Sequence, residues 1–293
     1  MKTRLKIFAE TLQVLLFVLS LMTAAASAQT TSPPQKKTPT QTKKPPAAPP
    51  KPDLEPQAVE LLKAVSSRLS GAHTLSFTAV QMFESPSRQG PPLAYAKKTD
   101  VTLQRPDRMR VIISGDGPAS EFYYNGKTVT AFAPSENLLA VSDAPPTIDA
   151  MLEAVYHSAG VFFTFTDLVV ADPYKDMSEG LTLAYHVGQS RVVAGTTTDM
   201  VAYIDSGVFI QLWIGSEDKL PRMVRAIFLD DPEHLRSEVE FSNWQLDAAV
   251  PPDAFAPPNA AATAKHIPFA DIKTQAAAGT MPSARANSPK KQP

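Results

Sequence analysis

The residues able to do chemistry are sparse and scattered. The chain has five histidines (His73, His157, His186, His234 and His266) and no cysteine. None of the histidines pairs at i, i+4 on an expected helix or falls in a His-x-His cluster, so no metal site is expected. The missing thiols exclude thiolate nucleophiles, zinc ribbons and iron–sulfur centres. His157-Ser158, with Asp167 downstream, has the residue types of a hydrolytic triad. There is no Gly-x-Ser-x-Gly elbow, however, and Ser158 falls at the end of an expected helix; triads are set by geometry rather than by proximity in sequence. A hydrolase is therefore only a remote alternative. The acid pairs Glu217-Asp218 and Asp230-Asp231 read as turn residues, where solvated charge is commoner than general acid–base work. Gly115-Asp116-Gly117-Pro118 is a turn and not a phosphate-binding loop. No catalytic residue and no cofactor are expected, so the protein is read as a non-enzyme.

The charge pattern points to a partner class by exclusion. Residues 53–262 carry 15 Lys/Arg against 27 Asp/Glu. Such an acidic body would repel nucleic acid, whose affinity comes mostly from phosphate contacts. Residues 29–52 carry five lysines and no acid, and residues 263–293 carry five basic residues against Asp271. These basic flanks suit contact with anionic lipid or cell-wall polymers, or serve as solubilising charge.

The chain start gives an address. Lys2, Arg4 and Lys6 precede an apolar run from Leu12 to Ala26, followed by Ala26-Ser27-Ala28. This is the pattern of a secretory signal peptide, with Ala26 and Ala28 at the positions signal peptidase reads and cleavage after Ala28. The run is shorter than the ~20 residues of a bilayer span, and no other run of its length follows, so a soluble, monomeric periplasmic protein is expected. Residues 1–28 are thus a signal peptide and residues 29–53 a disordered Pro/Lys-rich linker with nine prolines between Pro33 and Pro56. Residues 54–259 form the folded domain, and residues 260–293 a disordered basic tail.

Elements that would position any site are legible in the domain. Ala58, Leu61, Leu62, Val65 and Leu69 keep helical spacing; Asp53 is placed to cap that helix, Pro56 fits its first turn and Gly71 ends it. Eleven strand-like segments follow: 75–83, 95–104, 108–114, 121–124, 128–132, 181–187, 191–194, 200–204, 209–214, 223–229 and 238–246. Asn125-Gly126 marks a hairpin, since both residues tolerate positive φ. A second helix runs from a Thr147 cap through Ile148, Met151, Leu152 and Val155 to Gly160, and the apolar patch Phe162, Phe163, Phe165 and Leu168 comes straight after. The architecture read from this pattern is mainly β (α+β): a curved antiparallel sheet of about 11 strands with helices on its concave face, leaving an apolar groove between them.

Several stretches resemble a known family. Arg105-Pro106-Asp107-Arg108-Met109-Arg110-Val111 resembles the Arg-Pro strand opening of LolA-type periplasmic lipoprotein carriers. Tyr124-Asn125-Gly126-Lys127-Thr128-Val129, Leu212-Trp213-Ile214 with Leu220-Pro221-Arg222, and Asp253-Ala254-Phe255-Ala256-Pro257-Pro258 resemble later hairpins and the closing segment of that superfamily. With Thr147-Ile148-Asp149-Ala150-Met151-Leu152 and Thr166-Asp167-Leu168, the pattern is most similar to an uncharacterised LolA/LolB-like group of predicted periplasmic proteins, the DUF2092 type. The resemblance implies a half-barrel whose hydrophobic cavity holds acyl chains, with Arg105 lining it and helping to hold a helical lid shut. Met109, Phe132, Met151, Phe163, Phe165, Trp213, Met223 and Phe228 are the further cavity candidates, because Met and Phe suit a cavity for flexible chains. They equally suit ordinary packing, and Trp213 is read as either core or groove floor. The expected function is a periplasmic binding protein for a hydrophobic ligand: a lipid, an acyl chain or a lipidated protein. The alternative is a structural or sensor module of the envelope whose cavity is filled by its own helices and which binds a protein or cell-envelope partner.

Overall fold

The structure is a computed structural model, and it describes residues 53–272. The expected signal peptide with Ala26 and Ala28, all of the linker except Asp53, and the tail beyond Ile272 lie outside the described residues. After a two-residue strand β1 (Asp53–Leu54) and helix α1 (Pro56–Ser70), the chain runs through β2 (Thr74–Ser85), β3 (Leu93–Gln104), β4 (Arg108–Gly115), β5 (Ser120–Tyr124), β6 (Thr128–Ala133) and β7 (Leu138–Asp143). Helices α2 (Ile148–Ala159), α3 (Thr166–Val169) and α4 (Pro173–Ser178) follow. The second run of strands is β8 (Leu181–Ser190), β9 (Thr198–Asp205), β10 (Val208–Gly215), β11 (Pro221–Phe228) and β12 (Arg236–Leu246), and the last strand is β13 (Lys265–His266).

All 13 strands join one curved, unclosed sheet in the order β1-β8-β9-β10-β11-β12-β2-β3-β4-β5-β6-β7-β13. Two antiparallel meanders, β8–β12 and β2–β7, meet where β12 pairs with β2. Only the two-residue end strands are parallel, β1 on β8 and β13 on β7. The mainly β reading and the helix-covered face hold; the strand count differs from 11. Residues 191–194 are not a strand, because β8 stops at Ser190 and a 3-10 turn, Val193–Gly195, follows with Ala194 at φ 52. Strands β1, β7 and β13 carry too few alternating residues to announce themselves, and pairing with a neighbour is what makes them strands.

Local signals explain the helices. Pro56 opens α1, and Ala58, Leu62, Val65 and Leu69 are fully buried along one stripe. Asp53 does not cap it: β1 pulls Asp53 onto β8, Glu55 is the N-cap without a side-chain cap bond, and its carboxylate instead accepts from the His186 N–H at 2.8 Å. Helix α2 is capped as expected, with the Thr147 hydroxyl accepting from the Ala150 N–H at 3.3 Å. It ends on Gly160 at φ 64, the left-handed position glycine adopts without steric cost. In the β5–β6 hairpin only Gly126 takes positive φ, 87°, while the Asn125 side chain accepts from the Lys127 and Thr128 N–H groups. The chain beyond Ala260 keeps its structure to Ile272: β13 pairs with β7, Phe269 is buried, and Ile267 and Ile272 pack against the core.

The main core lies between the helices and one face of the sheet. That face presents Leu75, Phe77 and Ala79 of β2, Val101 and Leu103 of β3, Met109 and Val111 of β4, Phe122 and Tyr124 of β5, and Val201 and Tyr203 of β9. Its centre is aromatic. Phe77 meets Phe165 edge-on at 5.5 Å, Phe241 at 5.8 Å and Trp244 at 4.5 Å, while Phe163 stacks on Phe165 at 5.4 Å and meets Phe122 at 5.2 Å. Such pairs contribute beyond their buried area.

Candidate functional site

Arg105 sits where three helical segments meet the sheet. The turn between β3 and β4 is fixed through its backbone: the Arg105 N–H donates to the His73 carbonyl at 2.9 Å, and the Pro106 carbonyl accepts from the Ile148 N–H at the start of α2, also at 2.9 Å. The guanidinium then reaches under the helices. It donates through Nη1 to the Val169 carbonyl at the end of α3, at 2.9 Å, and through Nη2 to the Leu69 carbonyl near the end of α1, at 3.5 Å. Its buried Nε has no partner among the described residues. Burial holds the guanidinium below its ordinary pKa, partly offset by the Asp149 carboxylate, yet arginine keeps its charge. Asp149 completes the junction by accepting from the Ala171 N–H at 3.1 and 3.2 Å. Farther along, Ser66 of α1 accepts from the Tyr174 N–H, which seats α4 on α1.

The eight candidates besides Arg105 divide between the two faces of the sheet. Met109, Met151, Phe163 and Phe165 are in the helix-side core at 4% exposure or less, and Phe228 packs at its margin. Three others face the opposite way. In β6 Val129 and Ala131 point to the helices, so Phe132 points out, where it packs with Leu139, Ala261 and Ala264 in a separate small cluster. In β10 Ile210, Leu212 and Ile214 point in, which turns Trp213 out; in β11 Val224, Ala226 and Phe228 take the helix side, which turns Met223 out. Trp213 and Met223 are cross-strand neighbours there. Period-two alternation is the whole reason. Trp213 is thus buried, but it belongs neither to the main core nor to a groove under the helices.

A family profile matches residues 58–270, and its description is "Predicted periplasmic protein (DUF2092)". The chain belongs to this family. A search of curated proteins finds no match. Among solved structures, MucB in complex with MucA(peri) is similar at 14% identity, with 69% of this chain and 60% of that chain covered and a TM-score of 0.38. A DUF1329 family protein from Desulfovibrio piger is similar at 12% identity over 69% of this chain and 97% of that one, with a TM-score of 0.33. A LolA superfamily protein from Nitrosomonas europaea is similar at 10% identity over 68% and 97%, with a TM-score of 0.30.

Elsewhere in this DUF2092 domain, groups with chemical capacity are tied to structural partners. Ser158 donates to the Ala154 carbonyl of its own helix, and His157 Nε2 lies 3.9 Å from Glu153. Asp218 pairs with Arg222 and accepts from the Leu220 N–H; Asp231 accepts from the Glu233 N–H. Both acid pairs thus shape turns. One polar cluster was not read from sequence: Asp199 lies 4.0 Å from His186 Nε2 and 3.7 Å from Lys219 Nζ, and accepts from Gln189 at 2.9 Å. Burial pushes the Asp199 carboxyl up, but the Gln189 bond and the Lys219 and His186 charges outweigh this and hold it below its usual range. The cluster joins β8, β9 and the β10–β11 turn, strands whose pairing no local motif announces. Among the described residues no group of three or more His, Asp or Glu is placed to hold a metal ion, and no helix is long and apolar enough to cross a membrane.

Proposed function

We propose that the protein is a non-catalytic periplasmic binding module that admits an apolar chain, from a lipid or a lipidated protein, between its sheet and a helical layer latched by Arg105. The observation that carries this reading is the Arg105 junction. One guanidinium bridges α1 and α3 over an interior of apolar side chains, and its Nε has no partner among the described residues. A buried charge with an unmade hydrogen bond is a poor structural fastening, which suits a latch that opens. Binding would come from apolar burial, at about 0.8 kcal/mol per CH₂ removed from water. Export through the signal peptide, cleaved after Ala28, would deliver the domain to the periplasm. The basic linker and tail would contact anionic envelope surfaces.

The second reading, a sensor or structural module with a self-filled interior, is favoured by the Phe163–Phe165 packing, which occupies the space a ligand would need. Native mass spectrometry of the mature chain purified from a bacterial periplasm separates the two. A stoichiometric lipid adduct that Arg105→Leu weakens supports the latch reading. An apo mass unchanged by phospholipids and acylated peptides sinks it and leaves the partner-binding module.

A further inference from the structure

One row of the sheet's outer face is polar from strand to strand. Gln245 of β12, Ser76 of β2, Thr102 of β3, Arg110 of β4 and Tyr123 of β5 are successive cross-strand partners. With about 5 Å between directly opposed residues, the row is roughly 20 Å long. The segment after β12 passes over it as a strap. One end is tied down where the Asp247 N–H donates to the Thr74 carbonyl at 2.9 Å and the Thr74 hydroxyl donates to the Ala248 carbonyl at 2.7 Å. The other end is held by buried Phe255 and then by Ala261 and Ala264 on the Phe132–Leu139 cluster. Between these anchors the strap and the polar row line an open cleft of about 540 Å³, a volume in the range of small-molecule sites.

The floor of this cleft is unlike a packing surface. A strap that only covered a sheet would bury apolar side chains, whereas this one arches over Gln, Ser, Thr, Arg and Tyr. Pro251, Pro252, Pro257 and Pro258 restrict its backbone, which resists collapse onto the floor. Tyr123 donates its hydroxyl to Glu121 at 2.6 Å, so Glu121 is occupied and the Tyr123 ring serves as a wall. Asp100, the acid whose charge Arg110 feels, already pairs with Lys98 at 2.8 Å and accepts from Thr78. The Arg110 guanidinium makes no ion pair or hydrogen bond among the described residues. It is the single cation of the lining, and the only carboxylate there, Asp253, is exposed on the strap. The lining therefore suits an elongated ligand with one anionic end and neutral polar groups beyond it.

We propose that this cleft binds a small hydroxylated carboxylate of the sugar-acid class. The guanidinium fork of Arg110 pairs the carboxylate in bidentate fashion, and Thr102, Ser76 and Gln245 meet the hydroxyls in sequence along the row. This site lies on the face opposite the Arg105 latch and does not depend on it. The test is a titration of the mature chain with D-glucuronate, followed by amide NMR shifts, with D-glucose and sulfate as controls. The expected result is saturable shifts at Ser76, Thr102, Arg110 and residues 248–258 at millimolar glucuronate. Glucose should bind at least about tenfold more weakly, a loss of about 1.4 kcal/mol. Arg110→Gln should remove that preference, Thr102→Val should weaken binding while leaving Arg110 in place, and Arg105→Leu should leave it unchanged. Equal response to glucose, full competition by sulfate, or no saturable shift at the strap would overturn the assignment.

Discussion

Two cations, Arg105 and Lys97, lie in places where charge is costly, and each makes a different prediction. The Arg105 guanidinium is bonded to two main-chain carbonyls, and its Nε has no partner among the described residues. Replacing it with an apolar residue removes the desolvation cost together with the bonds, so Arg105→Met should change global stability by less than about 1 kcal/mol. The α3–α4 segment should nevertheless loosen, because the bond to the Val169 carbonyl is lost. Hydrogen exchange should accelerate at Leu168–Ala171 by about tenfold while β2 and β3 stay protected. A uniform change across the chain would deny Arg105 its latching role. Lys97 lies on the helix-side face of β3, opposite Gln81, with its ammonium 5.7 Å from the Phe83 ring centre. Burial lowers its pKa from 10.5. A lysine with a depressed folded-state pKa binds its proton less well than the unfolded chain does. Its cost is thus fully present below the folded pKa and disappears as pH rises through the unfolded value. Lys97→Met should raise stability to urea by about 1 kcal/mol at pH 7, and the gain should shrink towards pH 10.5. A gain independent of pH would mean that packing, not charge, is responsible.

At the scale of elements, the segment linking α2 to α3 decides whether the interior is full. Phe163 and Phe165 are buried in the helix-side core and meet Phe122 and Phe77 of the sheet. Phe165→Ala should cost about 3–5 kcal/mol, the range for removing a buried aromatic ring. If the helical layer admits apolar ligands, the cavity left behind should take up an apolar fluorophore; a stability loss without dye uptake would mean that the helices collapse into the gap. Helix α2 itself was legible, because Thr147, the Ile148–Met151–Leu152–Val155 stripe and Gly160 are local signals that no tertiary contact overrides. The faces of Phe132, Trp213 and Met223 were not legible. β10 is apolar on both sides, so composition did not say which side the helices take, and one step of register exchanges them. The Arg105 position carried through the family resemblance, but its acceptors, the Leu69 and Val169 carbonyls, are backbone atoms with no sequence signature.

At the scale of the whole described domain, the open sheet has two edges, and a two-residue parallel strand pairs with each. β1 lies on β8 at one edge, and β13 lies on β7 at the other. Asp53 and Ile272, the first and last described residues, therefore lie near opposite edges of the sheet. Little in the sequence announces this pairing, since two-residue strands have no periodicity and residues 260–293 read as a disordered basic tail. Its role is physical. An uncovered edge strand offers unpaired N–H and C=O groups to another copy, and β7 would expose Leu139 as well, which Ala261 and Ala264 cover with Phe132. A chain ending after Ala260 should keep the β2–β12 pairing but lose the cover on β7, together with Phe269 and Ile267 from the core margin. Sedimentation velocity of the mature chain should show a single monomeric species across a wide concentration range. The shortened chain should associate as concentration rises, and a charged substitution on β7, Val141→Lys, should suppress that association. A shortened chain that stays monomeric would mean that β13 only packs against the core and does not guard the edge.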